Sequence, residues 1–245
     1  MAIWITGATL CGRRNENQDH LLAGNHLMEG NMALQAAAPP GETLLLGVAD
    51  GIGGGVHPRE ASRAALEALE GAFWAEGACS LPLVLRLLQA AAAANQRAWQ
   101  LCLRYGGCTL ACAAISPDGE FATLAVGDSP ILLMSSHGEM RQLFTPQNEA
   151  AQKAALGLPV LQGDGRILTA FCGMDSDAAS VPFRCTSCGR LHPGEGLVLH
   201  SDGLTLAPAA LHRAIEKKTP AKALCRKALL QGSRDNITVA IALME

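Results

Sequence analysis

The sequence predicts an α+β fold in four layers, in which two antiparallel sheets pack face to face and pairs of helices cover them from outside. Two observations carry this prediction. Short apolar strand-like segments follow one another with only tight turns between them, and helix-like segments occur in separate blocks. Strands joined by such short turns pair antiparallel. Because the chain shows neither an internal repeat nor a linker, we expect one domain over residues 1–245.

The first half of the chain predicts two strands and two helices. Residues 2–10 and 43–49 are strand-like, and the second segment is apolar enough for burial on both faces. From Pro58 to about Glu76, apolar and small residues recur at helical spacing behind a proline suited to a first turn. A second helix is predicted from Leu81 to about Leu103, with Ser80 as its N-terminal cap.

The second half of the chain predicts short antiparallel strands and further helices. Turn sequences at residues 117–119 and 137–138 separate the first of these strands. The segment 145–182 has the least regular pattern. The predicted elements are strands at 106–115, 120–129, 131–136 and 139–144, a short helix at 149–156, a strand at 197–201, helices at 208–217 and 220–231, and a strand at 236–243.

The composition narrows the possible function classes. The 245 residues carry a formal net charge of −3, with 49% hydrophobic and 17% charged residues, which fits a globular chain with a sizeable core. There is no basic run, so nucleic acid is not an expected partner. No apolar run approaches the roughly 18–20 residues that cross a bilayer, and the N-terminus does not resemble a signal peptide. We therefore expect no membrane association.

The nine cysteines do not have the pattern of a disulfide framework. Their number is odd, and several lie among apolar neighbours, as Cys108 and Cys112 do. A cytoplasmic location is the expectation that follows. Cys185 and Cys188 have metal-ligand spacing and His192 is close, but no second such pair completes a structural zinc site. We interpret them as ordinary thiols near a loop, with zinc as the alternative.

Four aspartates lie at the ends of predicted strands. Asp50, Asp128 and Asp202 follow apolar strands, and Asp235 precedes the last one. A single aspartate in this position is usually a turn residue, but four can converge at one sheet edge. Converged carboxylates repel one another unless a cation holds them. Oxygen ligands without His or Cys favour Mg²⁺ or Mn²⁺ over Zn²⁺, and two such ions can activate a water and neutralise a phosphate.

Two neighbouring features fit the same chemistry. The glycines that follow Asp50 allow the backbone, including the Gly51 carbonyl, to approach a metal closely. Arg14 offers the planar fork of donors that binds phosphate oxygens, although a single arginine is more often an ordinary surface residue.

Six motifs resemble those of the metal-dependent serine/threonine phosphatases of the protein phosphatase 2C (PPM) family. Each is weak alone, but all six occur in the family's order. They are Arg14-Asn15-Glu16-Asn17-Gln18-Asp19, Val48-Ala49-Asp50-Gly51-Ile52-Gly53-Gly54, Gly107-Cys108-Thr109, Val126-Gly127-Asp128-Ser129, His200-Ser201-Asp202-Gly203-Leu204 and Asp235-Asn236-Ile237-Thr238-Val239. The short chain resembles the stand-alone bacterial members.

The resemblance implies an α-β-β-α sandwich with a binuclear Mn²⁺ or Mg²⁺ site at one edge of the two sheets. It implies that Asp50 bridges both ions, that the Gly51 carbonyl contacts one of them, and that Asp202 and Asp235 hold the other. Asp128, together with Asp202, is implied to serve a third and weaker metal site.

The resemblance also implies the residues that surround the metals. Arg14 is expected to bind the substrate phosphate, and Gln18, Asp19 and Asn236 are expected to support the ligands from a second layer. Bridging hydroxide is then expected to attack phosphorus in line, without a covalent phosphoenzyme.

Four positions depart from the family pattern. Gln18 stands where many members have glutamate, and Ile52 where animal members have a histidine proposed as general acid. Pro130 replaces the arginine that usually follows the Gly-Asp-Ser motif, and Gly55 replaces a histidine. His57 lies close by, but we expect it to be a surface residue at the start of a helix.

The expected function is hydrolysis of phosphoserine and phosphothreonine in proteins by a monomer, opposing a bacterial Ser/Thr kinase. The resemblance also implies that the segment 145–182 corresponds to the flap and the following strands, which help such enzymes choose substrates. One alternative is a catalytically weak or inactive binding module of the same fold that regulates a phosphoprotein. Another is a structural protein whose aspartates only form turns. The presence of Asp50, Asp202 and Asp235 favours the enzyme.

Overall fold

Two six-stranded sheets form the centre of the structure. The computed structural model describes residues 2–24, 26–39 and 41–245, and it describes only the backbone of residues 186–188. The strands are β1 (Ile3–Leu10), β2 (Asp19–Ala23), β3 (His26–Met28), β4 (Ala33–Ala37), β5 (Leu44–Asp50), β6 (Leu110–Ile115), β7 (Glu120–Val126), β8 (Ile131–Met134), β9 (Met140–Gln142), β10 (Arg184–Arg190), β11 (Gly196–His200) and β12 (Ile237–Met244).

All neighbouring strands in both sheets run antiparallel. The first sheet has the order β4-β1-β12-β11-β8-β9, and the second has the order β10-β7-β6-β5-β2-β3. The helices are α1 (Pro58–Phe73), α2 (Leu83–Cys102), α3 (Glu149–Ala155), α4 (Pro208–Glu216) and α5 (Ala221–Leu230). The α+β fold and its pairs of helices are confirmed.

Three apolar layers hold the four structural layers together. In β5, Leu46 and Val48 face the other sheet, whereas Leu45 and Ala49 face α1 and α2. Successive side chains of a strand point to opposite faces, so a strand covered on both sides must be apolar throughout. The α4–α5 pair covers the other sheet through a third apolar cluster that includes Leu224.

The helical boundaries follow the prediction, except at the start of α2. Ser80 does not cap this helix; it ends a short 3₁₀ turn, and its hydroxyl donates to the Gly77 carbonyl at 2.6 Å. The helix begins at Leu83, with Pro82 in the cap position. A residue that precedes proline is held in extended conformation, and Leu81 has φ −79° and ψ 149°. The helix therefore cannot begin where the sequence predicts.

Strands β2, β3, β4 and β10 were not predicted from the sequence. The strand β2 is fully buried but begins with Asp19 and His20, whose polarity interrupts the apolar pattern. Both side chains find polar partners from distant elements: Ser201 donates to Asp19 at 2.7 Å, and Ser62 lies 2.9 Å from His20. Tertiary partners of this kind cannot be inferred from local periodicity.

Helices of the described part of the chain lack the combination of length and apolar character that crossing a bilayer requires.

We predict that Leu46→Ala destabilises the fold by about 2–5 kcal/mol, because it leaves a cavity between the two sheets. Leu46 has no exposed surface. Leu230→Ala is the matched control, since that side chain is 87% exposed and its loss is expected to change stability by less than about 0.5 kcal/mol. Urea denaturation measures both values, and equal values for the two variants would contradict the packing described above.

Candidate active site

The four strand-end aspartates line one cleft, which lies across the same edge of both sheets. Asp50 ends β5 and Asp128 follows β7 of one sheet, while Asp202 and Asp235 flank β11 and β12 of the other. The cleft has a volume of about 1290 Å³. Its lining also includes residues predicted to support the metals or bind phosphate, namely Arg14, Gln18, Gly51 and Asn236.

Asp50 is fixed by hydrogen bonds to the strand beside it. Its backbone N–H donates to Thr109 Oγ1 at 3.1 Å, and the Thr109 N–H donates to the Asp50 carbonyl at 2.8 Å. The Thr109 hydroxyl also lies 2.6 Å from the Ser129 hydroxyl. Thr109 and Ser129 are both buried, so this chain of hydrogen bonds sets the direction in which β5 ends.

Gly51 occupies a position where no larger residue fits. A Cβ atom there would lie 2.3 Å from the Pro58 carbonyl oxygen and 3.0 Å from that of Gln18. The Gly51 N–H donates to the same Gln18 carbonyl at 3.1 Å. The glycine after Asp50 thus allows the chain to pass close to the start of α1 where it lines the cleft.

Asn236 joins the loop that carries Arg14 to the beginning of β12. Its amide group donates to the carbonyls of Cys11 at 2.9 Å and Glu16 at 2.8 Å, and its Oδ1 accepts from the Gln18 N–H at 2.9 Å. These three bonds span both ends of the loop. Asn236 therefore holds in place the loop that carries Arg14 and Gln18.

The aspartates strongly oppose one another's ionisation. Burial raises the pKa of Asp50 well above its usual range, and Asp19, Asp202 and Asp235 raise it further. The pKa of Asp202 rises to about 6, first because the surrounding protein displaces water and then because of Asp128 and Asp235. Burial likewise raises the pKa of Asp128. Such a group of carboxylates is stabilised when cations bind to it.

Asp19 lies directly behind this group, because it pairs with Asp50 in the register of β2 and β5. Burial raises its pKa to about 7, although the hydrogen bond from Ser201 acts in the opposite direction. One of its oxygens, Oδ1, is buried without a hydrogen-bond partner. A buried acceptor without a partner is costly unless a cation or water completes it.

Asp235 and Asp128 each accept a hydrogen bond from a protein side chain. Arg14 Nη2 donates to Asp235 Oδ2 at 2.7 Å, and Asn148 Nδ2 donates to Asp128 Oδ2 at 3.2 Å. Within the described residues, no three His, Cys, Asp or Glu side chains are arranged as a ready-made metal cluster. The carboxylates thus share a cleft without pointing at a common centre.

Sequence reasoning did not identify Asn148, which connects the flap to this cleft. Its Oδ1 caps α3 by accepting from the Ala151 N–H at 3.0 Å, while its Nδ2 donates to Asp128 and also to the Gly165 carbonyl at 3.2 Å. The cap is visible in the sequence as an asparagine before a helical stretch. The contact of Asn148 with Asp128 is not visible in the sequence, because the two residues lie 20 positions apart.

The positions that depart from the family pattern have different environments. Ile52 and Gly55 line the cleft. A Cβ atom at Gly55 would lie 2.9 Å from the Gly106 Cα, so the local backbone leaves no room for a side chain. His57 is exposed, lies 4.0 Å from Glu60 and is not part of the cleft lining. The Pro130 carbonyl accepts from the His200 N–H at 3.1 Å, beside β8.

The zinc alternative concerns Cys185, Cys188 and His192. The Cys188 side chain lies outside the described residues, so this alternative is not examined by the structure. Cys185 and His192 are both exposed.

Comparisons with known proteins identify one family. A family model described as protein phosphatase 2C matches residues 33–237. The chain is similar to the PPM Ser-Thr phosphatase MsPP from Mycobacterium smegmatis, solved in complex with cacodylate, with 26% identity, 98% of each chain covered and a TM-score of 0.75. No curated protein matches the sequence.

Two further solved structures share the fold at lower identity. The serine/threonine phosphatase PstP/Ppp of Mycobacterium tuberculosis is 20% identical over 100% of both chains, with a TM-score of 0.77. PppA, described as a key regulatory component of T6SS in Pseudomonas aeruginosa, is 22% identical over 99% of both chains, with a TM-score of 0.76.

We predict that Thr109→Val lowers the free energy of unfolding by about 1–3 kcal/mol, because the Asp50 N–H and the Ser129 hydroxyl lose their partner in the interior. Thr109→Ser keeps the oxygen and loses only the methyl group that lies against Gly127. Chemical denaturation of both variants separates the two contributions. A serine variant as unstable as the valine variant would assign the effect to packing rather than to hydrogen bonding.

Proposed function

The chain belongs to the protein phosphatase 2C family, and we propose that it hydrolyses phosphoserine and phosphothreonine in proteins with the help of Mn²⁺ or Mg²⁺. The observation that carries the proposal is that Asp50, Asp128, Asp202 and Asp235 line one cleft together with Arg14. A cleft with a carboxylate floor and a neighbouring guanidinium is suited to cations and to a phosphate group at the same time.

The donor set fits two hard divalent cations. Asp50, the Gly51 carbonyl, Asp202 and Asp235 offer only oxygen atoms, which Mn²⁺ and Mg²⁺ prefer. The raised pKa values of Asp50 and Asp202 and the unpartnered Asp19 Oδ1 are further marks of a site short of positive charge. When bound, the two ions supply an activated water and neutralise charge on the phosphate. Asp128, with Asp202, is proposed to hold a third, weaker ion.

Arg14 is proposed to bind and orient the substrate phosphate. One of its terminal nitrogens contacts Asp235, while the side chain remains 56% exposed towards solvent. A guanidinium has five N–H donors in one plane, so donors remain for two oxygens of a phosphate. The ion pair with Asp235 fixes the direction of the fork before substrate arrives, which reduces the entropy lost on binding.

Gln18, Asp19 and Asn236 are proposed to support the ligands without touching substrate. Asn236 holds the loop of Arg14, and Asp19 lies behind Asp50 with its Oδ2 fixed by Ser201. Gln18 is held through its backbone, because its carbonyl accepts from the Gly51 N–H and from the Ser62 hydroxyl. These contacts keep the ligand loop in place.

We infer that the protein opposes a Ser/Thr kinase, acts as a monomer and is located in the cytoplasm. The buried thiols of Cys102, Cys108, Cys112, Cys172 and Cys225 are consistent with a reducing compartment.

We predict that the protein releases phosphate from a phosphothreonine peptide with Mn²⁺ and not with EDTA. Asp202→Asn is expected to lower kcat/KM by more than about 100-fold. Loss of a residue that only hydrogen-bonds to a metal ligand already lowers activity by about 10–100-fold, and Asp202 is proposed as a ligand itself. Asp118→Asn is the matched control, because Asp118 is exposed in the turn between β6 and β7 and pairs with Arg190. Phosphate release that persists in EDTA would contradict the proposal, as would an active Asp202→Asn variant.

We further predict that Arg14→Ala raises KM for the phosphopeptide by about tenfold, because a charge-assisted contact to the phosphate is lost. Arg14→Lys is expected to be intermediate, since a lysine provides the charge without the planar fork. Steady-state kinetics at saturating Mn²⁺ measures both. An unchanged KM in both variants would exclude Arg14 as a phosphate ligand.

A further inference from the structure

The cleft is lined by more arginines than one phosphate requires. Besides Arg14, the residues Arg13, Arg104, Arg166 and Arg234 line it, and among the described residues its lining includes no lysine or glutamate. We call these four residues the cationic rim. Together with Arg14 they place five arginines around the four aspartates of the cleft, in a chain whose formal net charge is −3.

The cationic rim has no anionic partner within the described part of the protein. All four residues are exposed, and none lies within 4.0 Å of a carboxylate. Elsewhere on the described surface, Arg59, Arg63 and Arg190 each pair with a glutamate or aspartate, whereas Arg97, Arg141, Arg213 and Arg226 do not. The four rim residues are distinguished by their common place around the cleft. The rim therefore offers guanidinium forks to a partner outside the chain.

Arg104 occupies an unusual backbone conformation beside the cleft. Leu103 and Arg104 both lie in the left-handed region, with φ 46° and φ 65°. Two successive residues of this kind carry a cost of about 1–2 kcal/mol each. The Leu103 N–H donates to the Trp99 carbonyl at 2.7 Å, and the Val56 N–H donates to the Tyr105 carbonyl at 2.9 Å, so the surrounding structure maintains the turn. Strain of this kind tends to accumulate at functional sites.

Arg166 lies in a turn of the flap that polar contacts hold in place. The neighbouring Asp164 is buried and accepts from Lys153 Nζ at 2.9 Å and from the Leu161 N–H at 2.6 Å. The Gly165 carbonyl accepts from Asn148, the same residue that contacts Asp128. Arg166 lines the same cleft as Asp202. Its charge therefore belongs to the cleft rather than to a detached loop.

We propose that the cationic rim selects phosphoproteins in which acidic residues flank the phosphorylated serine or threonine. Arg14 serves the phosphate, while the rim residues lie on separate segments around it and can reach carboxylates on either side. Arginine suits this task because its planar fork binds a carboxylate through two hydrogen bonds. The inference rests on the proposed function and adds the substrate class to it.

The test compares three phosphothreonine peptides of one sequence whose flanking positions are aspartate, alanine or lysine. The full chain is loaded with Mn²⁺, and p-nitrophenyl phosphate serves as a substrate that has no flanking residues. We expect kcat/KM to be about tenfold higher for the aspartate-flanked peptide than for the lysine-flanked one. The difference is expected mainly in KM, and it stays modest because each exposed ion pair changes the binding affinity by only a small factor. The difference is expected to shrink at high salt, because exposed charges are screened.

Variants connect this preference to the rim. Arg104→Gln and Arg166→Gln are each expected to lower the aspartate-to-lysine ratio of kcat/KM by about two- to fivefold. Arg226→Gln is the control, since Arg226 is an exposed arginine on α5 and does not line the cleft. It is expected to leave the ratio unchanged.

The outcomes separate the inference from the function on which it rests. Hydrolysis of all peptides with equal efficiency, or a ratio that the rim variants do not alter, overturns the inference and leaves the phosphatase intact. Lack of hydrolysis of every peptide and of p-nitrophenyl phosphate overturns the proposed function, and the inference with it.

Discussion

Repulsion among carboxylates at one sheet edge is the constraint on which the rest of the site depends. Asp50, Asp202 and Asp235 are placed where each makes the ionisation of another more costly, and Asp19 lies behind them with an unpartnered oxygen. A fold tolerates such an arrangement only when the backbone fixes it and a cation can neutralise it. The contacts around these carboxylates meet the first condition, because they fix the backbone that carries them.

The sandwich supplies the necessary rigidity. The strand β5 is apolar on both faces, so the hydrophobic effect holds it between the opposite sheet and the α1–α2 layer. Asp50 stands at its end, and hydrogen bonds with Thr109 prevent that end from moving. Asn236 provides the corresponding support from the other sheet by binding the loop of Arg14. Both sheets therefore contribute residues to one cleft.

Residues 145–168, the first part of the flap segment, are organised differently, because they contribute no hydrophobic side chain to the buried core, whereas Ala170, Cys172 and Val181 further along the segment do. Helix α3 has no buried residue, and Leu156, Leu158 and Leu161 are exposed. Its order comes from polar contacts: Asp164 with Lys153, and Asn148 with both Gly165 and Asp128. Because a segment held by polar contacts with little apolar burial opens more easily than a packed core, we expect residues 145–168 to have a lower local stability than the sandwich.

The sequence by itself determined the layered α+β class, the main helices and most strands, because these follow from hydrophobic periodicity and turn residues that act over a few positions. It also indicated the candidate ligands Asp50, Asp202 and Asp235, since ordered motifs mark them. Only the tertiary structure decided what depends on distant partners. The buried strand β2, the Asn148 bridge and the arginines around the cleft all arise from contacts between residues far apart in sequence, which no local pattern records.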